Sequence, residues 1–164
     1  MLRGKLKVDV KDHTATLVAS LRSIAQMRVL VGIPEDHTAR KDRDKINNAE
    51  LMYIHTNGSP MRHIPARPVI EPAIESPTNK AAITGELSEA ATSVLNSEPE
   101  AALQHLNDAG QLGEDAARYW FENPNNGWPP NTPATIAAKG SDRPLVDTGQ
   151  LRKAITHVVR NGND

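Results

Sequence analysis

The amino-acid sequence predicts an α+β fold: a small antiparallel or mixed sheet, an N-terminal helix, two longer central helices and extended proline-rich arms. Three observations predict it. The segment MRVLVGIP, residues 27–34, alternates apolar and polar positions with period two. Two stretches, 78–96 and 99–122, carry apolar stripes with helical spacing. The 12 prolines gather between the periodic segments, where they stiffen connections instead of breaking elements. At 164 residues the chain corresponds to one domain spanning 1–164.

The elements follow in order. Asp12 to Ala25 places Leu17, Leu21 and Ile24 on one helical face, with Asp12 or Thr14 available as the cap. A strand follows, with Met27, Val29, Val31 and Ile33 on one side, Arg28 opposite and Pro34 as its stop. Residues 35–45, EDHTARKDRDK, mix both charges without an apolar face and read as a flexible charged loop or hairpin tip that includes Arg40 and Lys41. A short helix begins at Asn47 and ends at Asn57-Gly58, where glycine offers a positive-φ stop. In PMRHIPARPVIEPAI the prolines at 65, 68 and 72 exclude a central strand, leaving an edge strand or an extended arm that feeds a helix.

The first long helix, Thr78 to Asn96, offers Ile83, Leu87, Ala91 and Val94 as its inner face. Ser97-Glu98-Pro99-Glu100 has capping-box spacing with proline in the first turn. The second long helix runs to about Glu122 with Leu103, Leu106, Gly110, Gly113, Ala117 and Trp120 along one stripe. Each interior glycine costs about 1 kcal/mol relative to alanine, so the pair signals close packing. Thr132-Pro133 caps a short helix stopped at Gly140. Asp147-Thr148-Gly149 turns the chain into QLRKAITHVVR, a helical turn that passes into a final strand.

Composition narrows the chemistry. Aromatic residues make up 3% of the chain, which predicts a core of Leu, Ile, Val and Ala supplemented by self-association. The absence of cysteine removes disulfides and thiolate metal sites. With 19 basic against 20 acidic residues there is no basic excess for general nucleic-acid binding. No apolar run reaches membrane-spanning length and the first residues lack a hydrophobic signal core, so the expectation is a soluble protein made in the cytoplasm.

Enzyme signatures are missing: there is no phosphate loop, nucleophile elbow or zinc-protease helix. The six histidines are scattered, and DRDKINNAE lacks the oxygen ligand at Ile46 and the glycine at Asn47 that a calcium loop requires. No catalytic residue, cofactor or metal is expected. Asp147 reads as a turn residue, and Arg62, His63 and Arg67 as groups that stay solvated or pair with acids of a neighbouring subunit.

WPPNTPATIAAKGSDRPLVDTGQLRKAITHVV resembles the C-terminal signature of the phage virion morphogenesis family, the tail-completion or neck proteins of tailed phages, including the Mu-type protein. The matching positions are Trp128-Pro129, Thr135-Ile136, Lys139-Gly140, Pro144-Leu145, Asp147-Thr148-Gly149-Gln150-Leu151 and Ile155. VGIP, NAELMYIHTNGSP and IPARPVIEPAI are similar to the family's strand, its helix ending before glycine and its proline-arginine-proline segment. The ordered set spans residues 27 to 159, with Asn57 and Val69 standing where phenylalanine is common in relatives.

The resemblance implies a structural virion protein at the head-proximal end of the tail. It would act by homo-oligomerisation into a ring matched to six-fold tail symmetry and by contacts with tail terminator or tail tube and head-connector proteins. The alternative is a non-virion assembly factor that binds a tail protein transiently. Candidate interface residues are Arg62, His63, Pro65, Arg67 and Pro68 in the arm, Arg40 and Lys41 in the charged loop, and Trp128, Pro129 and Pro130. The restricted segment around Trp128 is either a preorganised docking element or an internal strap over the domain's own core, and the sequence leaves both open.

Overall fold

A computed structural model describes residues 14–39 and 46–162. Helix α1, Thr14–Ala25, leads directly into strand β1, Met27–Gly32. Helices α2 (Asn48–Asn57), α3 (Ile70–Glu75), α4 (Pro77–Leu95) and α5 (Pro99–Trp120) follow. Two short helices, α6 (Pro133–Lys139) and α7 (Gln150–Ala154), precede strand β2, Thr156–Asn161. This is an α+β architecture: β1 and β2 pair antiparallel from Met27↔Asn161 to Gly32↔Thr156, joining distant parts of the chain. Among the described residues no helix is long and apolar enough to cross a membrane.

A two-stranded ribbon is marginal in water unless one face packs on something else. Here α5 supplies the support, and its glycines allow the approach. A Cβ on Gly110 would stand 2.8 Å from Cγ of His157 on β2, and one on Gly113 would stand 2.8 Å from Cγ2 of Val31 on β1. The close-packing expectation for these glycines therefore holds. Along β1, Met27, Val29 and Val31 are half-buried while Arg28 and Leu30 are exposed, as the alternation predicts.

Polar anchors fix the ribbon to α5. Glu114, only 5% exposed, accepts hydrogen bonds from the Thr156 hydroxyl (3.0 Å), the His157 backbone N–H (3.1 Å) and ring Nδ1 of His157 (2.7 Å). Its second oxygen pairs with Arg118 Nη1 at 2.6 Å. Arg118 in turn donates through Nε and Nη2 to the carbonyl of Ile155. Burial alone would push the Glu114 carboxyl up. The hydrogen bonds from His157 and Thr156 and the charges of Arg118 and His157 outweigh it and hold the group below the usual glutamate value.

The core collects Met52, Val69, Ala73, Ala116, Ala117, Phe121, Leu151 and Ile155. The expectation of a wholly aliphatic core is corrected: Phe121 is 4% exposed, and Trp120 and Trp128 pack against the same cluster. Phe121 and Trp128 meet edge to face, with centroids 5.8 Å apart. Aromatic residues are few, but three of them are spent in one place.

The inner face of α4 also differs from the expected stripe. Of that stripe Val94 is buried and Ile83 half-buried as expected, but Leu87 and Ala91 are exposed while Ala90 and Ser93 are buried. Small side chains let α4 approach α5, and that close packing outranks the larger apolar area of Leu87. The capping box at Ser97 does not form: Ser97 takes a positive φ of 63°, and Glu98 stands at the cap position without a side-chain hydrogen bond.

Candidate interaction surface

Three segments predicted to carry contacts behave differently. The first is the proline-rich arm. After α2, whose capping box at Asn47 is complete, the chain turns at Gly58, where φ is 72° and a Cβ would stand 2.8 Å from the Ala66 backbone nitrogen. A single 3-10 turn at Pro60–Arg62 and a bridge between Ser59 and Ile64 tighten the bend. Arg62 and His63 are exposed and Pro65 is half-buried. The segment then runs extended into α3, as the arm-feeding-a-helix reading expects.

Arg67 and Pro68 are corrections to the set of outward-facing candidates. Arg67 is only 7% exposed and donates Nε and Nη2 to the carbonyl of Pro129 at 3.1 and 2.8 Å, and Nη2 to that of Pro130 at 3.0 Å. The Pro68 carbonyl accepts the indole N–H of Trp128 at 2.8 Å. The prolines on either side, at 65 and 68, keep this short stretch extended, so its carbonyls and the Arg67 guanidinium meet the second segment at fixed spacing.

That second segment, residues 123–149, is an internal strap where it carries Trp128. The Trp128 ring lies against Phe121 and its polar edge is bonded inward, contacts that match the internal-strap alternative of the two the sequence leaves open. Pro129 and Pro130 keep exposed rings while their carbonyls hold Arg67. Beyond them α6 begins at its Thr132 cap, which accepts from the Thr135 N–H, and ends at Gly140 as the sequence predicts.

The third segment is the charged loop. Arg40 and Lys41 lie outside the described residues. Over 35–39, residues 35–37 form a 3-10 turn, and buried Asn48 donates to the carbonyls of His37 and Ala39.

Sequence reasoning missed two exposed apolar side chains beside Arg62. Tyr53 is 71% exposed on α2 and Met61 is 96% exposed on the following turn. A shallow open cavity of about 670 Å³ next to them is lined by Ile46, Ala49, Glu50, Tyr53, Ile54 and Arg62. In the sequence Tyr53 stands eight positions before Met61 and nine before Arg62, with no shared period to link them. Only the bend at Gly58 brings the two elements together.

Two polar groupings have ligand-like chemistry. Glu86, His105 and Asp108 bring one ligand atom each within 4.8 Å of one another across α4 and α5. His105 Nδ1 is already 2.8 Å from Glu86, and Asp108 accepts from Gln104, which accounts for the cluster as helix-to-helix and intrahelical bonding. The other is a cavity of about 210 Å³ beside Arg67, lined also by Asn131, Lys139, Asp147, Thr148 and Gln150. Asp147 stands there in the turn before α7, in keeping with the turn role read from the sequence.

No protein-family model, no curated protein and no solved structure matches this chain.

Proposed function

We propose that this chain is a structural protein of a phage virion that completes the head-proximal end of the tail and makes it competent to join the head. The observation that carries the reading is the ordered set of motifs from VGIP through IPARP to PL-x-D-TG-x-L, spread over residues 27 to 159 in the order the phage virion morphogenesis family has them. The geometry is compatible with work done by binding. Both strands of the two-stranded sheet have an edge without a strand partner among the described residues, a natural place for a neighbour to add. Exposed Tyr53 shares one shallow cavity with Arg62, and exposed Met61 precedes Arg62 in the turn, so an aromatic, an arginine and a flexible apolar side chain, residue types enriched at interfaces, are offered to a partner. A head-to-tail contact between such surfaces closes into a ring when the rotation permits, and a tail-matched ring would have six copies.

Electron microscopy of lysates from a phage lacking the gene tests this reading. DNA-filled heads beside separate tails of normal length are expected. Overlong or absent tails would move the protein to length control or nucleation, and normal virions would refute the structural role. Detection of the protein in purified particles separates a virion component from an assembly factor that leaves.

A further inference from the structure

We propose that the cavity beside Arg67 is a carboxylate-binding site. The inference is independent of the phage reading. Arg67 is 7% exposed, yet among the described residues no carboxylate lies within ion-pair distance of its guanidinium. A buried charge is normally paired, because desolvation costs several kcal/mol per ion. The partners that Arg67 does have are the carbonyls of Pro129 and Pro130, which accept from Nε and Nη2 and carry no net charge. Nη1 has no hydrogen-bond partner among the described residues and keeps contact with solvent, so two of the five guanidinium N–H groups are open to a ligand that displaces water. Burial with nothing to offset it disfavours the cation and lowers the guanidinium pKa.

The cavity that Arg67 lines supplies the rest of the site. Lys139 adds a second cation, while Asn131, Thr135, Thr148 and Gln150 add polar side chains. Asp147 and His55 line the same cavity, so its lining holds two cations, Arg67 and Lys139, against one carboxylate, although the Lys139 ammonium also donates to the Arg143 carbonyl. That balance matches a monoanion and opposes a dianionic phosphate. A volume of about 210 Å³ admits a carboxylate on a short stem, which would accept a charge-assisted hydrogen bond from Nη1. Arg67 is held rigidly by the strap carbonyls, so little side-chain entropy is lost when it binds. The carboxylate is either that of an acidic side chain on a second copy of this chain or that of a small free acid.

The test uses the full chain labelled with ¹⁵N, following the Arg67 Nε–Hε signal while sodium acetate is added against sodium chloride at equal ionic strength. A saturable shift with acetate that chloride does not produce is the expected result. If the signal also moves with protein concentration in chloride alone, and acetate competes that movement away, the carboxylate comes from a second copy. If protein concentration has no effect, the site takes a free acid. Lys139→Glu, on a partly exposed side chain, should keep the circular dichroism spectrum and weaken acetate binding by about tenfold, as charge reversal near a screened site does. An Arg67 signal that responds to acetate no more than to chloride overturns the proposal, as does unchanged acetate affinity in Lys139→Glu.

Discussion

Replacing Glu114 by alanine should detach β2 from α5. The substitution removes the acceptor for the Thr156 hydroxyl, the His157 backbone N–H and the His157 ring, and the counterion of Arg118. Removing one member of a buried charged network costs about 3–5 kcal/mol. Arg118 is partly exposed and can rehydrate, and the Thr156 hydroxyl can rotate to another acceptor, which places the expected loss near the lower end, about 3 kcal/mol. For a domain of this size that is a fall of about 6–12 °C in Tm.

Urea unfolding followed by circular dichroism should show a lower midpoint with an unchanged slope. Acid titration adds a second readout. The folded-state pKa of Glu114 lies below its unfolded value, so its stabilisation is complete above the usual glutamate value of about 4.3. It drains away as the pH falls through the depressed folded value. Glu114→Gln keeps the shape and one acceptor oxygen, and should flatten that part of the acid limb. A loss of less than about 0.5 kcal/mol in Glu114→Ala would refute the anchoring argument, since surface substitutions alone reach that size.

Two further substitutions test the packing. Gly110→Ala gains about 1 kcal/mol of helix propensity but drives a methyl into the His157 ring. Overpacking of about 1–3 kcal/mol should leave a net loss in chemical denaturation, and a gain would show that the ribbon sits further from α5. Trp128→Phe deletes the bond to the Pro68 carbonyl and should cost about 1 kcal/mol, whereas Trp128→Ala also opens the edge-to-face contact with Phe121 and should cost about 2–4 kcal/mol. A Trp128→Ala protein of native stability would return that side chain to a docking role.

Elements governed by local chemistry were legible in the sequence. β1 follows from its period-two face of Met27, Val29, Val31 and Ile33, the end of α2 from Asn57-Gly58, and α6 from Thr132, Pro133 and Gly140, because the forces that start and stop them act within four residues. The α5 glycines announced a close approach without saying to what, since His157 and Val31 arrive from distant parts of the chain. The α4 face was misread because hydrophobicity ranks Leu87 above Ser93, while helix-to-helix distance selects the smaller residue. Arg67 looks like a surface cation by composition. Only the strap carbonyls of Pro129 and Pro130, more than sixty positions away, reveal that it is buried.

The β1–β2 pairing bears on how the molecule is made. β1 emerges early in synthesis, but its hydrogen-bonding partner at residues 156–161 follows only after every helix. Closing so long a loop is entropically costly and slows folding. Until it closes, Val29 and Val31 offer an unpaired apolar edge, and Gly110 and Gly113 leave a bare groove along α5. A ribosome stalled before residue 156 would therefore hold a helical intermediate prone to stick to its neighbours, and chaperone demand should peak in that interval.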